Sequence, residues 1–214
     1  MARLICLACS FRPGGYCVAG IDPESGRWVR PVSGSSDRAI TLKMMAIDSN
    51  MPELLDVLEV PLANTGPDEG CQPENRLVLP GPWRRVDKAA ARDMLRYCED
   101  DIVILHNHKD RVPHDYFSTL PREQWKSLQL VRNSHVQFEP DYRDTRNWRA
   151  HFRDGSGHHL TLKVTDPLAG DFARRHQDVD ADCLLTVSLG APWQPDDKSK
   201  PLMCYKLVAG VLQL

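Results

Sequence analysis

Short apolar runs, broken by glycine and proline, open and close this chain of 214 residues. Near the start, residues 6–20 read CLACSFRPGGYCVAG, and near the end, residues 203–212 read MCYKLVAGVL. Runs of this length with turn residues between them are typical of β-strands rather than of long helices. The two ends therefore predict a mainly β fold, and the length allows one large domain or two small ones.

The charge of the chain limits the kinds of partner that it can bind. The formal net charge is -2 at pH 7, with 42% hydrophobic and 26% charged residues. These proportions are ordinary for a folded globular protein, and a chain so close to neutrality cannot coat duplex DNA by neutralising phosphates over its whole surface. Any contact with nucleic acid must therefore use a local basic patch.

The seven cysteines predict buried, reduced thiols rather than disulfides, because they are odd in number and lack paired spacing. Cys6-x-x-Cys9 has zinc-like spacing, but side chains three positions apart on a regular strand point to opposite faces, so we expect no metal site there. The first residues contain too few apolar positions for a signal peptide or a membrane span. We expect a cytoplasmic location, no membrane association and no cofactor.

The first half of the chain predicts a three-stranded meander followed by one further strand and a helix. Turn sequences rich in glycine and proline separate the strands, which we expect at residues 2–11, 16–21, 27–32 and 55–62. Helix formers behind a plausible N-cap at Asp87 predict a helix of about three turns near residues 87–100. Its buried face would carry Ala91, Met94, Leu95 and Cys98.

The second half predicts three meandering strands, a helix and two more strands. We expect the strands at residues 128–138, 146–152, 158–164, 183–189 and 203–212, and the helix at 167–176. This is the element order of an OB-fold barrel, a small five-stranded barrel. The expected fold is mainly β with a few helices, as two tandem OB-fold-like β-barrels. The predicted domains are residues 1–125, including the helix and a connecting loop, and residues 126–214.

Several sequence blocks resemble the bacterial dual OB-fold domain family. They are the opening CLAxSxRPGGxCVAG of residues 6–20, GxWVRPVS of 26–33, QPEN of 72–75, SLGxPW of 188–193 and YKLVAG of 205–210. The resemblance covers nearly the whole chain. It implies two OB-like barrels in tandem and a role in nucleic-acid or nucleotide binding without catalysis.

A basic strand face in the second half is one candidate binding surface. Alternation along the second predicted strand places Trp148, Ala150 and Phe152 on one side and the polar residues Arg149, His151 and Arg153 on the other. Lys163 faces the same way on the next strand. OB folds commonly bind oligonucleotides over their second and third strands. An ordinary solvated face is the alternative, because this face carries no aromatic residue.

A second candidate surface lies in the first half. Trp28 and Arg30 share a strand face, beside Arg12 and Tyr16, and could stack a nucleobase and bind its phosphate. The alternative is a half-buried tryptophan above a structural arginine. Gln72 and Asn75 could read base edges or could shape a turn. In the closing block, Trp193 and Lys206 are the remaining candidates for contact.

Catalysis finds little support in the sequence. His106, His108 and His114 lack the surroundings of a nuclease motif and are expected to be loop histidines, with no metal. Cys17 has no recognisable partner or nucleophile turn. We favour a non-catalytic module for single-stranded or structured DNA or RNA. Two alternatives stay open: a pocket for a small nucleotide or modified base, and a hydrolase or nuclease. The oligomeric state and any protein partners also stay open.

Overall fold

A computed structural model describes residues 1–48, 50–99, 102–175, 181–194 and 196–214. Within these ranges the protein is mainly β, as predicted. The chain forms two compact units, the first from Met1–Pro67 with Glu74–Tyr97 and the second from Asp68–Pro73 with Cys98–Leu214. No helix in the described ranges is long and apolar enough to cross a bilayer.

The first unit is built on one sheet with an OB-like strand circuit. Its strands are β1 (Ala2–Arg12), β2 (Gly15–Ile21), β3 (Trp28–Val32), β4 (Asp56–Val60), β5 (Asn75–Leu77) and β6 (Arg84–Lys88), in the order β5-β3-β2-β1-β4-β6. β5 runs parallel to β3, and the other ladders are antiparallel. A bridge between Leu62 and Val78 joins the ends of β4 and β5. The short helix α1 (Leu42–Met45) connects β3 to β4.

Glycine is required at the turn between β1 and β2. Gly14 and Gly15 have φ of 86° and 152°, and a Cβ atom on Gly15 would lie 2.5 Å from the carbonyl oxygen of Ile40. This close approach lets Tyr16 pair with Ile40 in both directions, at 2.9 Å each way. The Pro-Gly-Gly sequence therefore sets the meander and its contact with the following segment.

A β-bulge in β1 overturns the expected positions of two cysteines. The pairing of β1 with β2 shifts register between Cys6 and Ala8. A bulge adds one residue to one strand and so changes the alternation of its side chains. Cys6 and Cys9 consequently pack into the same hydrophobic core, not on opposite faces as predicted.

The predicted three-turn α-helix near residues 87–100 is wrong in type and extent. Asp87 lies in β6, where it pairs with Val57, and a 3₁₀ helix spans Ala91–Tyr97. With three residues per turn, Ala91, Met94 and Tyr97 lie on one side of this helix. Met94 is fully buried. It is the buried residue of this 3₁₀ helix, whereas the sequence predicted an apolar face of four residues.

The second unit contains a closed five-stranded barrel. Its strands are β7 (Arg111–Pro113), β8 (Leu128–Asp141), β9 (Asp144–Arg153), β10 (His159–Val164), β11 (Ala181–Leu189) and β12 (Met203–Gln213), in the order β10-β9-β8-β11-β12-β7. Parallel pairing of β10 with β12 closes the barrel, and β7 adds to the outer edge of β12. The strand circuit repeats that of the first unit, which confirms two OB-like barrels.

Short helical segments complete the second unit. The helix α2 (Ala169–Arg175) lies between β10 and β11, and 3₁₀ helices span His114–Thr119 and Arg122–Gln124. Residue 176, the end of the predicted helix, lies outside the described residues. Residues 98–125 belong to this unit, whereas the sequence assigned them to the first barrel. A boundary at 125/126 between independently folding domains stays a prediction.

The barrel core follows the alternation read from the sequence. Its inward-facing residues include Phe138, Ala150, Phe152, Leu160, Leu162 and Val164. The ring of Phe172 on α2 meets that of Phe138 edge-on, with centroids 5.4 Å apart and planes at 90°. α2 thus covers one end of the core with an aromatic contact.

We expect Phe138→Ala to lower the free energy of unfolding by about 3–5 kcal/mol, because it leaves a cavity in the barrel and removes the edge-on packing against Phe172. Urea unfolding measures the effect. Tyr142→Ala is the control, since this ring is exposed and its removal creates no cavity. Equal stabilities for the two variants would contradict the role given to Phe138.

Candidate nucleic-acid interface

Arg30 in the first unit is held inside the protein. Its side chain forms an ion pair with Glu74 at 2.9 Å, and its backbone N–H donates to the Glu74 carbonyl at 3.1 Å. Arg30 is 2% exposed, and Trp28 is half-buried at the start of β3. The structure therefore does not present an accessible guanidinium beside Trp28 for a phosphate group.

Arg12 and Tyr16 lie at the β1–β2 turn and are both half-buried. The Tyr16 ring packs on the first core and lies 5.2 Å from the ring of Phe11, which is exposed. Phe11 is an accessible aromatic residue that sequence reasoning did not select. The sequence feature that could have identified Phe11 is its position next to Arg12, at the turn between β1 and β2.

Gln72 and Asn75 are buried and donate to the backbone. Gln72 Nε2 donates to the carbonyl of Leu189 at 3.0 Å in the second unit, and Asn75 Nδ2 donates to the carbonyl of Pro67 at 2.8 Å in the first. Both side chains are less than 5% exposed. This geometry supports the interpretation of Gln-Pro-Glu-Asn as a structural turn rather than a reader of base edges.

Lys206 is also buried, at 2% exposure. Its Nζ donates to the carbonyls of Ile104 and Asn107 at 2.6 and 2.5 Å, and to Asn107 Oδ1 at 3.1 Å. Burial lowers the pKa of Lys206 to about 8, against the opposing effects of Asp110 and Asp154. Lys206 thus fixes the loop before β7 to the barrel.

The outer face of β9 and β10 borders a cleft of about 770 Å³. Residues from β8, β12, the edge of β7 and the β8–β9 loop complete its walls. The lining residues are Asp110, Arg111, Glu139, Pro140, Tyr142, Arg143, Arg149, His151, Thr161, Lys163, Tyr205, Lys206 and Leu207. Five of these carry cationic side chains and two carry carboxylates, so the cleft is basic in a chain whose net charge is -2.

Two arginine–tyrosine contacts line this cleft. The Arg143 guanidinium lies 5.2 Å from the ring centroid of Tyr142, and that of Arg111 lies 5.5 Å from the ring of Tyr205. Arg111 Nη1 also donates to the Tyr205 hydroxyl at 3.1 Å. Tyr142 is 77% exposed. Neighbouring loops and strands therefore supply the aromatic surface that the strand face itself lacks.

The strand-face residues that the sequence selected have different surroundings. Arg149 Nε donates to Asp141 Oδ2 at 2.8 Å, while Lys163 is exposed on β10. Burial lowers the pKa of His151, despite the opposing effect of Glu139, which favours the neutral form of this imidazole. Arg153 lies at the end of β9 and donates to the Gly157 carbonyl at 2.7 Å.

The structure thus brings together Arg149, His151, Lys163 and Lys206 from the predicted set, and adds four residues. Tyr142 and Arg143 occupy the two-residue loop between β8 and β9, and Arg111 and Tyr205 pair across β7 and β12. The sequence Asp-Tyr-Arg-Asp of residues 141–144 could have indicated an exposed turn that presents Tyr142 and Arg143. The second pair depends on β7, a strand in a segment whose sequence predicted a loop.

A closed five-stranded barrel in which the third strand pairs in parallel with the last has the topology of an OB fold, and the repeated strand circuit makes the protein a tandem one. Over residues 2–211 the sequence matches the dual OB-containing domain family, and the chain belongs to this family. Neither a curated protein nor a solved structure gives a significant match.

We expect Arg30→Met to lower the free energy of unfolding by about 3–5 kcal/mol, because it removes the cation that pairs with the buried Glu74 carboxylate. Chemical denaturation measures the change. Arg3→Met is the matched control, since the Arg3–Glu59 pair is at the surface and its removal should cost less than about 1 kcal/mol. Equal costs for the two variants would show that burial of the Arg30 pair has no energetic consequence.

We expect stability to depend on the protonation of Lys206. Its pKa is lowered to about 8 from 10.5, so between these values the unfolded chain binds more protons than the folded protein. The free energy of unfolding contributed by Lys206 therefore rises with pH in this window, by at most about 1.4 kcal/mol per pH unit.

Denaturation curves between pH 8 and 10.5 test this dependence in the wild type and in Lys206→Met. The difference between their unfolding free energies should change with pH in favour of the wild type, because the methionine variant lacks the titrating amine. A difference that stays constant over the window would contradict the lowered pKa.

Proposed function

We propose that the protein binds single-stranded nucleic acid in the cleft on the outer face of β9 and β10, without catalysing a reaction on it. The observation that carries this proposal is the composition of the cleft, in which two carboxylates are accompanied by two tyrosines and by four cationic side chains that solvent can reach, those of Arg111, Arg143, Arg149 and Lys163. OB folds commonly bind oligonucleotides across this part of the barrel.

The distribution of charge supports contact with phosphates. Arg143 and Lys163 are exposed at the cleft, and both can approach a phosphate group without leaving the barrel surface. Arg149 forms an ion pair with Asp141. This pair fixes the orientation of the Arg149 side chain and partly neutralises its positive charge. Exposed cations along a groove attract the backbone of a single strand irrespective of its sequence.

The tyrosines support contact with bases. Base–aromatic stacking stabilises single-strand complexes by about 1–3 kcal/mol per base and tolerates any base. Tyr142 presents an exposed ring beside Arg143, and Tyr205 lies beside Arg111. A strand that follows the cleft would therefore find stacking surfaces next to cations.

A small nucleotide or modified base is the second candidate ligand for the same cleft. The volume of about 770 Å³ falls within the range of small-molecule sites. A mononucleotide would use one arginine–tyrosine contact, whereas a strand would use the whole length of the cleft. Competition between the two kinds of ligand separates these functions.

Fluorescence anisotropy with labelled DNA and RNA single strands at several salt concentrations tests the proposal. We expect Tyr142→Ala to weaken binding by about 5- to 150-fold, because it removes a stacking surface. The double variant Arg143→Ala/Lys163→Ala should reduce the slope of log affinity against log salt by about 0.7 for each phosphate that the protein no longer neutralises.

Lys43→Ala is the matched control, because Lys43 is an exposed lysine on α1 in the first unit. It should leave both the affinity and the salt slope unchanged. Absence of binding at low salt, or equal salt slopes for the double variant and the control, would refute strand binding in the cleft. Equal competition by a mononucleotide and by an oligonucleotide would favour the small-ligand function.

A further inference from the structure

Two histidines and an aspartate from distant parts of the chain meet at the turn between β9 and β10. His108 lies in the loop before β7, and Asp154 and His158 lie at the two ends of the turn. His108 Nδ1 is 2.6 Å from Asp154 Oδ2, and His158 Nδ1 is 3.8 Å from Asp154 Oδ1. One side-chain nitrogen or oxygen from each residue lies within 4.8 Å of the other two.

The turn fixes the carboxylate of Asp154. Its Oδ1 accepts hydrogen bonds from the backbone N–H groups of Ser156 and His158, both at 3.0 Å, and from the Ser156 hydroxyl at 2.8 Å. The Asp154 side chain is fully buried. The carboxylate is therefore held in one orientation, with Oδ2 directed at His108.

The two imidazoles lie face to face beside this carboxylate. The His108 and His158 rings are stacked, with centroids 4.0 Å apart and planes at 23°. A metal ion lies in the plane of each imidazole that binds it, so binding requires one of the stacked rings to turn, and the two side chains, 37% and 57% exposed, have space to do so. Exposure on this side also leaves room for a water molecule as an additional ligand.

The arrangement does not fit a serine nucleophile. In a Ser-His-Asp triad, the serine and the aspartate contact opposite nitrogens of the imidazole. Here the Ser156 hydroxyl lies 3.3 Å from His108 Nδ1 and 2.9 Å from His158 Nδ1, and each of these nitrogens also faces Asp154. The geometry thus lacks a general base positioned between nucleophile and carboxylate.

We infer that His108, Asp154 and His158 form a binding site for a divalent transition-metal ion such as Zn²⁺. Imidazole nitrogens and a carboxylate are preferred ligands of these ions, and three protein ligands with one open position are a common zinc geometry. Ligand atoms about 2.0–2.1 Å from a tetrahedral ion lie roughly 3.4 Å apart. The 2.6 Å between His108 Nδ1 and Asp154 Oδ2 is a hydrogen-bond distance, so an ion would replace this hydrogen bond and move the two atoms apart, whereas one ligand atom from each of the three residues already lies within 4.8 Å of the others.

Local spacing along the chain does not reveal this site, because its ligands come from two distant segments. His106 and His114 contact the backbone carbonyls of Lys126 and Glu69 at 2.8 and 2.9 Å, so they have structural contacts in the loop. His108 alone of the three reaches Asp154, which lies 46 residues further along the chain. A bound ion would join the loop before β7 to the β9–β10 hairpin, whose outer face borders the cleft.

Titration of the chelator-treated protein, without a polyhistidine tag, tests the inference. Co²⁺ serves as the spectroscopic probe, and Zn²⁺ as the competitor. We expect one Co²⁺ ion per chain, with the visible absorption of a tetrahedral or five-coordinate site, and its displacement by Zn²⁺. Zn²⁺ should also raise the midpoint of thermal unfolding, because it binds the folded protein.

Variants locate the ion. His158→Ala and His108→Gln should each weaken Co²⁺ binding by at least about tenfold, because each removes a ligand. His135→Ala is the matched control, since His135 is an exposed histidine on β8, and it should retain the wild-type affinity. Circular dichroism confirms that each variant is folded. Absence of stoichiometric binding to the wild type, or equal affinities for His158→Ala and His135→Ala, would overturn the assignment.

Discussion

Parallel pairing of β10 with β12 is the interaction on which the candidate interface depends. Lys163 pairs with Leu207 and Val164 with Val208, and Thr165 donates to the carbonyl of Val208 at 2.8 Å. This short ladder turns an open sheet into a closed barrel. It also places Tyr205 and Lys206 of β12 beside Lys163 of β10, so that one closure forms both the core and the cleft.

The two barrels use their third strands in different ways. In the first unit, Arg30 on β3 lies inside the protein with Glu74, and β5 runs alongside in parallel. In the second unit, Lys163 on β10 faces outward into the cleft. The cation of a buried ion pair is enclosed with its partner, whereas an exposed cation is available to a ligand. Family membership establishes the shared barrels, and these local differences favour the second as the binding unit.

Strand order in the second half was predictable because its alternation of apolar and polar residues is regular. The core positions from Phe138 to Val164 followed directly from that pattern. A structural role for Arg30 was one of the two predicted alternatives, but its ion partner was not predictable, because Glu74 is 44 residues away in the sequence. The bulge that brings Cys6 and Cys9 into one core likewise depends on pairing with β2. The contact of Tyr205 with Arg111 likewise depends on the pairing of β12 with β7.

Amide chemical shifts of the isotopically labelled protein, titrated with a short single-stranded oligonucleotide, test most directly whether a strand binds in the β9–β10 cleft. We expect the largest shifts in β9, β10 and the loop containing Tyr142 and Arg143. The amides near Trp28 and Arg30 in β3 should change little. Shifts centred on β3, with none around the β9–β10 cleft, would show that the strand binds elsewhere.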